Sequence, residues 1–184
     1  MKLGSDTYSM AYRAFHDKSN LSLDLTPGEV FEATQAVFFV SSIQLSLVFV
    51  IFLTMTDEDQ FKITMPSSMA VLSTRFVCSI MMHLQVSADV SQGLQMMKYL
   101  VNHGEEFSAP RLAFTVGMLQ FLTGFVTELV CIIFLGSLNN PIGVIIRFIA
   151  LGSIAKYDNF YVAALPTSSS FKQSVPKEKQ VKFI

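Results

Sequence analysis

From Ala36 to Met55 the chain reads AVFFVSSIQLSLVFVIFLTM, 20 residues without a charge and apolar on every side of a helix. At helical rise such a stretch covers about 30 Å, the thickness of a hydrocarbon core, and a helix with no polar face has no place at the surface of a soluble domain. The residues before it, TPGE at 26–29, carry a helix start: Thr26 can cap, Pro27 suits the first helical position and Glu29 completes a capping box. Asp57, Glu58 and Asp59 end the span. Pro66 then opens a second apolar segment over 67–86, interrupted by Arg75 and His83. Over 87–103, Val90, Leu94, Met97 and Val101 recur at helical spacing among polar residues. That pattern predicts an amphipathic helix on the membrane surface or packed beneath the spans.

GEEFSAP at 104–110 reads as a loop, and the third span follows over 112–138 with Glu128 as its one charge. NNP at 139–141 is a tight turn in which Asn140 caps and Pro141 begins a fourth helix over 141–165, up to Pro166. The expected fold is therefore an all-α integral membrane protein. It is a four-transmembrane-helix bundle with an amphipathic helix between spans 2 and 3. Residues 1–25 form a polar N-terminal segment in which Tyr8, Ala11, Tyr12 and Phe15 share one face of a short interfacial helix. Residues 167–184, rich in Ser and Lys, read as a basic disordered tail.

Composition agrees with a membrane class. Hydrophobic residues make up 51% and charged residues only 15%, against about 25% charged in soluble domains. Seventeen Phe and ten Met suit lipid-facing surface, and the lack of Trp leaves Tyr as the interfacial aromatic. A net charge of −1 gives no reason to expect nucleic acid. Four spans put Lys2, Arg13, Lys18, Lys98, Arg111, Lys156, Lys172, Lys177, Lys179 and Lys182 on one side and Lys62 alone on the other. This distribution predicts both termini on the cytoplasmic or matrix side.

Catalytic and cofactor chemistry finds little support. Cys78 and Cys131 lie inside apolar runs and read as buried reduced thiols acting as small hydrophobes. No HExxH, GxSxG or phosphate-binding glycine loop is present. His16, His83 and His103 are scattered over three segments, so a haem held by two membrane histidines has no second ligand, and Cys78 with His83 lacks an oxyanion site. The expectation is no enzyme, no cofactor and no metal.

The ionisable residues within the spans carry the sharper question, because each costs about 2.5–3.5 kcal/mol at a helix centre and seldom faces lipid. Counted from the outer helix ends, Arg75 lies about 13 Å deep, Glu128 about 16 Å and Arg147 about 9 Å. These depths predict that Glu128 pairs with Arg75, Arg147 or both. His83 and Asp158 each stand seventeen residues past the proline that opens their helix, which predicts a His83–Asp158 hydrogen bond nearer the inner boundary. On the third span Gly117, Gln120, Gly124, Thr127, Glu128 and Cys131 share one small and polar face, the pattern of a helix-packing seam.

RFVCSIMMHLQVSADVSQGLQMMKYLVNHGEEFSAPRLAF, TELV and RFIALGSIAKYDNFYVAAL together resemble a loosely defined set of multi-span membrane proteins of unicellular eukaryotes. The resemblance covers about residues 75–165 and rests on Arg75, His83, the MMKY run at 96–99, Glu128, and the closing helix of Phe148–Leu151, Ile154, Ala155, Asp158 and Tyr161. It implies no activity. Two functions remain in view. One is a non-catalytic subunit or assembly component of a larger membrane complex, with other membrane subunits, further copies of itself and the lipid bilayer as partners. The alternative is a small oligomeric ion or proton channel or transporter with Glu128 and Arg147 in its pathway.

Overall fold

The computed structural model describes residues 6–16, 27–57 and 68–166. Thr26, Glu58, Asp59, Lys62, Pro66 and the tail at 167–184 lie outside them, as do 1–5 and 17–25 of the N-terminal segment. The described elements are α1 (Thr7–His16), α2 (Pro27–Asp57), α3 (Met69–Asn102), a 3₁₀ turn (Gly104–Glu106), α4 (Pro110–Ser137), α5 (Pro141–Ala155) and α6 (Tyr157–Ala164), with no strand among the described residues. Val30–Thr56 of α2, all of α3 and all of α4 are long and apolar enough to cross a membrane. That is what a multi-pass membrane protein requires.

Two elements differ from the expected boundaries. The second span and the amphipathic segment are one helix of 34 residues. The polar residues at 87–91 include neither Pro nor Gly, so nothing in the backbone stops the helix where the apolar run ends. The expected fourth span, 141–165, is instead two helices parted at Lys156 (φ −99°, ψ 15°). α5 alone has 15 residues, short of the ~20 that a hydrocarbon core asks for. A helix end frees its last carbonyls, which cannot stay unpaired in an apolar setting. Here the buried Gln44 supplies them, its Nε2 donating to the carbonyls of Ile154 (3.3 Å) and Ala155 (3.4 Å). The start of α5 follows the sequence: Asn140 Oδ1 accepts the Ile142 N–H at 3.1 Å and Pro141 occupies the first turn.

The chain divides into two compact units. The first comprises Met1–Ser42, Ser91–Phe121 and Tyr157–Ile184. Its core is built around α1, with Tyr8, Tyr12 and Phe15 packed among Val37 and Val40 of α2, Met96 and Leu100 of α3, Val116 of α4 and Val162 of α6. α1 is thus not an interfacial helix with one apolar face; Asp6 and eight of its ten residues are buried, and Arg13 and His16 are partly so. Burial to this extent is possible because its polar groups are matched. Asp6 accepts the Ser9 N–H (2.8 Å) and hydroxyl (2.7 Å), an N-cap arrangement, and Gln92 donates to both Asp6 and Ser9. Thr7 donates to the carbonyl of Asp158 (2.9 Å), Tyr12 donates to that of Met96 (2.7 Å), and the Phe15 carbonyl accepts from Ser108. In the same unit Gly93 of α3 lies against the backbone of Gly117 and Phe121 of α4.

The second unit comprises Ile43–Val90 and Leu122–Lys156. Val48 and Met55 of α2, Cys78, Met82 and Val86 of α3, Cys131, Phe134 and Leu135 of α4, and Val144 and Leu151 of α5 form its core.

Candidate functional site

The ionisable residues of the second unit take partners other than those their depths predict. His83 Nδ1 lies 2.5 Å from Glu128 Oε1, so the intramembrane carboxylate meets a histidine and neither arginine. Arg75, buried, donates through Nε to the Leu138 carbonyl (2.8 Å) and through its terminal nitrogen to Asn139 Oδ1 (3.1 Å). It therefore serves the carbonyl end of α4, where the helix dipole favours a cation. The Arg147 guanidinium stands 4.6 Å from the centre of the Phe134 ring, a cation–π contact.

The correction has a simple cause. Depth orders residues along a helix, whereas pairing depends on direction around it. Arg75 and His83 are eight residues apart, hence about 80° apart around α3. Arg75 consequently points into the core, and His83 points outward with 59% of its side chain exposed. The predicted His83–Asp158 bond is corrected likewise. His83 bonds Glu128 in the second unit, while Asp158 is buried in the first unit, in the opening turn of α6, where its backbone carbonyl accepts from Thr7.

Arg75→Met should destabilise the protein by about 2 kcal/mol, the scale of hydrogen bonds from a charged donor, because Leu138 and Asn139 lose that donor. Thermal unfolding in mild detergent reads this directly, and an unchanged midpoint would remove Arg75 from the α4–α5 turn.

The remaining seam residues are distributed between the units. Gly117 lies in the first, where an added Cβ would be 3.1 Å from Met97 and 3.2 Å from Met96; Gly124 lies in the second, 2.9 Å from a Val90 methyl. Thr127 is buried. Gln120 is buried with neither side-chain atom hydrogen-bonded. Sequence reasoning passed over Gly93, whose signal was available: an isolated glycine within a helical pattern commonly marks close packing.

It also passed over an aromatic and histidine cluster in the first unit. Glu106 Oε2 accepts from the Tyr99 hydroxyl (2.6 Å) and lies 3.2 Å from His16 Nε2; His103 stacks on Tyr99 with centroids 4.4 Å apart, and Phe107 meets His16 edge-on. No local pattern could reveal it, since His16 is 90 residues from Glu106. The Tyr99 hydroxyl, and after it His16, hold the Glu106 carboxyl below the ordinary carboxylate range. Because the folded state favours the ionised form, this fastening is complete above that range and is lost as pH falls through the lowered value. Amide exchange over residues 7–16 should therefore quicken as pH falls below the ordinary carboxylate range, after correction for intrinsic rates. Glu106→Gln should flatten the response. A profile that is already flat in the unsubstituted protein would contradict the contact.

Among the described residues no group of three or more His, Cys, Asp or Glu side chains is placed to hold a metal ion. Comparison of the chain with protein-family models, with curated proteins and with solved structures finds no match.

Proposed function

We propose that this chain is a non-catalytic, polytopic membrane protein that acts as a subunit of a larger membrane assembly, and that it associates through the face bearing His83 and Glu128. In this reading α5 and α6 complete a fourth crossing, as the one-sided distribution of Lys and Arg favours. One observation carries the assignment of the face: the imidazole of His83 is mostly exposed on a helix long and apolar enough to span a membrane. Around it, Ile80 of α3 and Phe125 and Ile132 of α4 are exposed as well. An ionisable pair set in such a surface is costly against lipid, and a partner that covers it removes the cost.

The alternative is an oligomeric ion or proton conduit through Glu128 and Arg147. The unpartnered buried amide of Gln120 favours it, since such a group often marks trapped water. Against it stand the engagement of Glu128 by His83 and of Arg147 by the Phe134 ring.

Native mass spectrometry directly from source membranes tests the proposal. An assembly containing this chain supports it, and a chain that leaves the membrane alone, as a monomer, would sink it. Proton or ion flux through liposomes, abolished by Glu128→Gln, would favour the conduit instead.

A further inference from the structure

We infer that the break between α5 and α6 is a switch set by the docking of α1: the helix is parted at Lys156 while α1 is seated, and runs on unbroken once α1 is released. The switch stands apart from the subunit reading above and needs no partner chain. From Ser153 to Leu165 the sequence holds neither Pro nor Gly, so no residue there stops a helix by itself. The backbone ladder is still intact at Gly152, whose carbonyl accepts the Lys156 N–H at 3.2 Å. It fails just beyond, where a side chain has entered: Gln44 Nε2 donates to the Ile154 and Ala155 carbonyls. In a continuous helix those two carbonyls would accept the N–H groups of Asp158 and Asn159. Gln44 and the backbone thus compete for the same acceptors, which is what a two-state element requires.

α1 supplies the bias toward the broken form. Thr7 Oγ1 donates to the Asp158 carbonyl at 2.9 Å, and Asp158 and Val162, one turn apart on α6, are both buried, Val162 in the core that α1 fills. Lys156 holds ψ at 15°, about 60° from the helical value. Turning it to that value swings Val162, six residues on, by several ångström and carries the Asp158 carbonyl away from Thr7. α6 therefore does not continue α5 while it holds α1. α1 has 10 residues and α6 has 8, and neither length keeps a helix in place without packing. The coupling is reciprocal: whatever releases α1 favours the continuous helix, and whatever straightens the helix releases α1. A continuous helix from Pro141 to Ala164 would be about 36 Å long, enough to cross a hydrocarbon core, whereas α5 alone falls short. For the fourth crossing proposed above, α1 thus sets whether the chain crosses as a broken or an unbroken helix.

The test uses the full chain in lipid nanodiscs. Ala155–Lys156 is the one Ala–Lys pair in the sequence, so carbon-13 and nitrogen-15 labelling of those residue types isolates the break by nuclear magnetic resonance. The Lys156 Cα and carbonyl shifts then report its ψ, and amide exchange over residues 7–16 reports the docking of α1. The unsubstituted chain should show non-helical shifts at Lys156 and slow exchange in α1. Tyr12→Ala, which removes the ring that seats α1, should move the Lys156 shifts to helical values. Gln44→Leu, which removes the competing donor, should do the same and quicken exchange across α1. Thr7→Val keeps the shape of the side chain and removes one donor, so docking should weaken roughly fivefold, with both readouts moving together. Lys156 shifts that stay put while α1 exchanges freely overturn the inference. So does Gln44→Leu if it straightens the helix with α1 still protected, or leaves both readouts unchanged. Should Tyr12→Ala fail to fold, Thr7→Val decides: the two readouts move in step, or the inference falls.

Discussion

Tyr12→Ala is expected to cost about 3–5 kcal/mol, the loss typical of emptying a fully buried aromatic site. Tyr12 has no exposed surface, packs edge-on against Phe107 with centroids 5.2 Å apart, and donates to the Met96 carbonyl at 2.7 Å. α1 has only 10 residues, too few to hold a helix by itself in water. Its helicity therefore depends on this packing, and amide exchange across residues 7–16 should rise to the rate of an undocked segment. Tyr12→Phe separates the two contributions. It keeps the ring and removes one hydrogen bond, so it should cost only about 1 kcal/mol. Burial, with Tyr99 nearby, also pushes the Tyr12 hydroxyl well above the ordinary tyrosine range, so an alkaline absorbance titration should show a tyrosine that stays protonated until unfolding. Equal losses from the Ala and Phe variants would mean that the ring contributes nothing, against the packing described.

Gly93→Ala is the second large effect, and here two principles oppose each other. Helix propensity favours alanine over glycine by about 1 kcal/mol. Sterics favour glycine more strongly. An added Cβ would stand 2.7 Å from the Phe121 nitrogen, 2.9 Å from the Gly117 oxygen and 3.1 Å from the Phe121 Cα. All three are backbone atoms, which cannot turn aside as a side chain can, so α3 and α4 must move apart. Overpacking of that kind reaches about 3 kcal/mol, leaving a net loss of about 2 kcal/mol after the propensity gain. Gly124→Ala is the control. Its close neighbour is a Val90 methyl, with the next atoms at 3.6 and 3.7 Å, and the smaller shift needed should give a smaller loss. Unfolding of the three proteins in mixed detergent should rank the unsubstituted chain first, Gly124→Ala second and Gly93→Ala last. A stabilised Gly93→Ala would mean that propensity dominates and that the two helices do not approach this closely.

The polar partnerships illustrate what depth reasoning omits. Arg75, His83 and Glu128 were singled out for a sound reason, the cost of charge in an apolar span. Their pairing was misassigned because residue counting gives position along an axis and no direction around it. The 80° between Arg75 and His83 decides that one enters the core and the other faces outward. The cluster of His16, Tyr99 and Glu106 was invisible for another reason. Its members come from α1, α3 and the 3₁₀ turn, and no spacing within one element joins them.

What the sequence by itself determined were the properties that need only a short window of chain. These are the long apolar helices, which follow from length and uniform hydrophobicity, and the start of α5, where Asn140 and Pro141 settle the backbone locally. Tertiary structure alone decided the rest. It ended α5 at Ala155 where Gln44 meets the freed carbonyls, buried most of α1, and gave Glu128 to His83. Each of these depends on which side chain a neighbouring helix presents. That is a property of rotation and approach between elements, which one-dimensional periodicity does not contain.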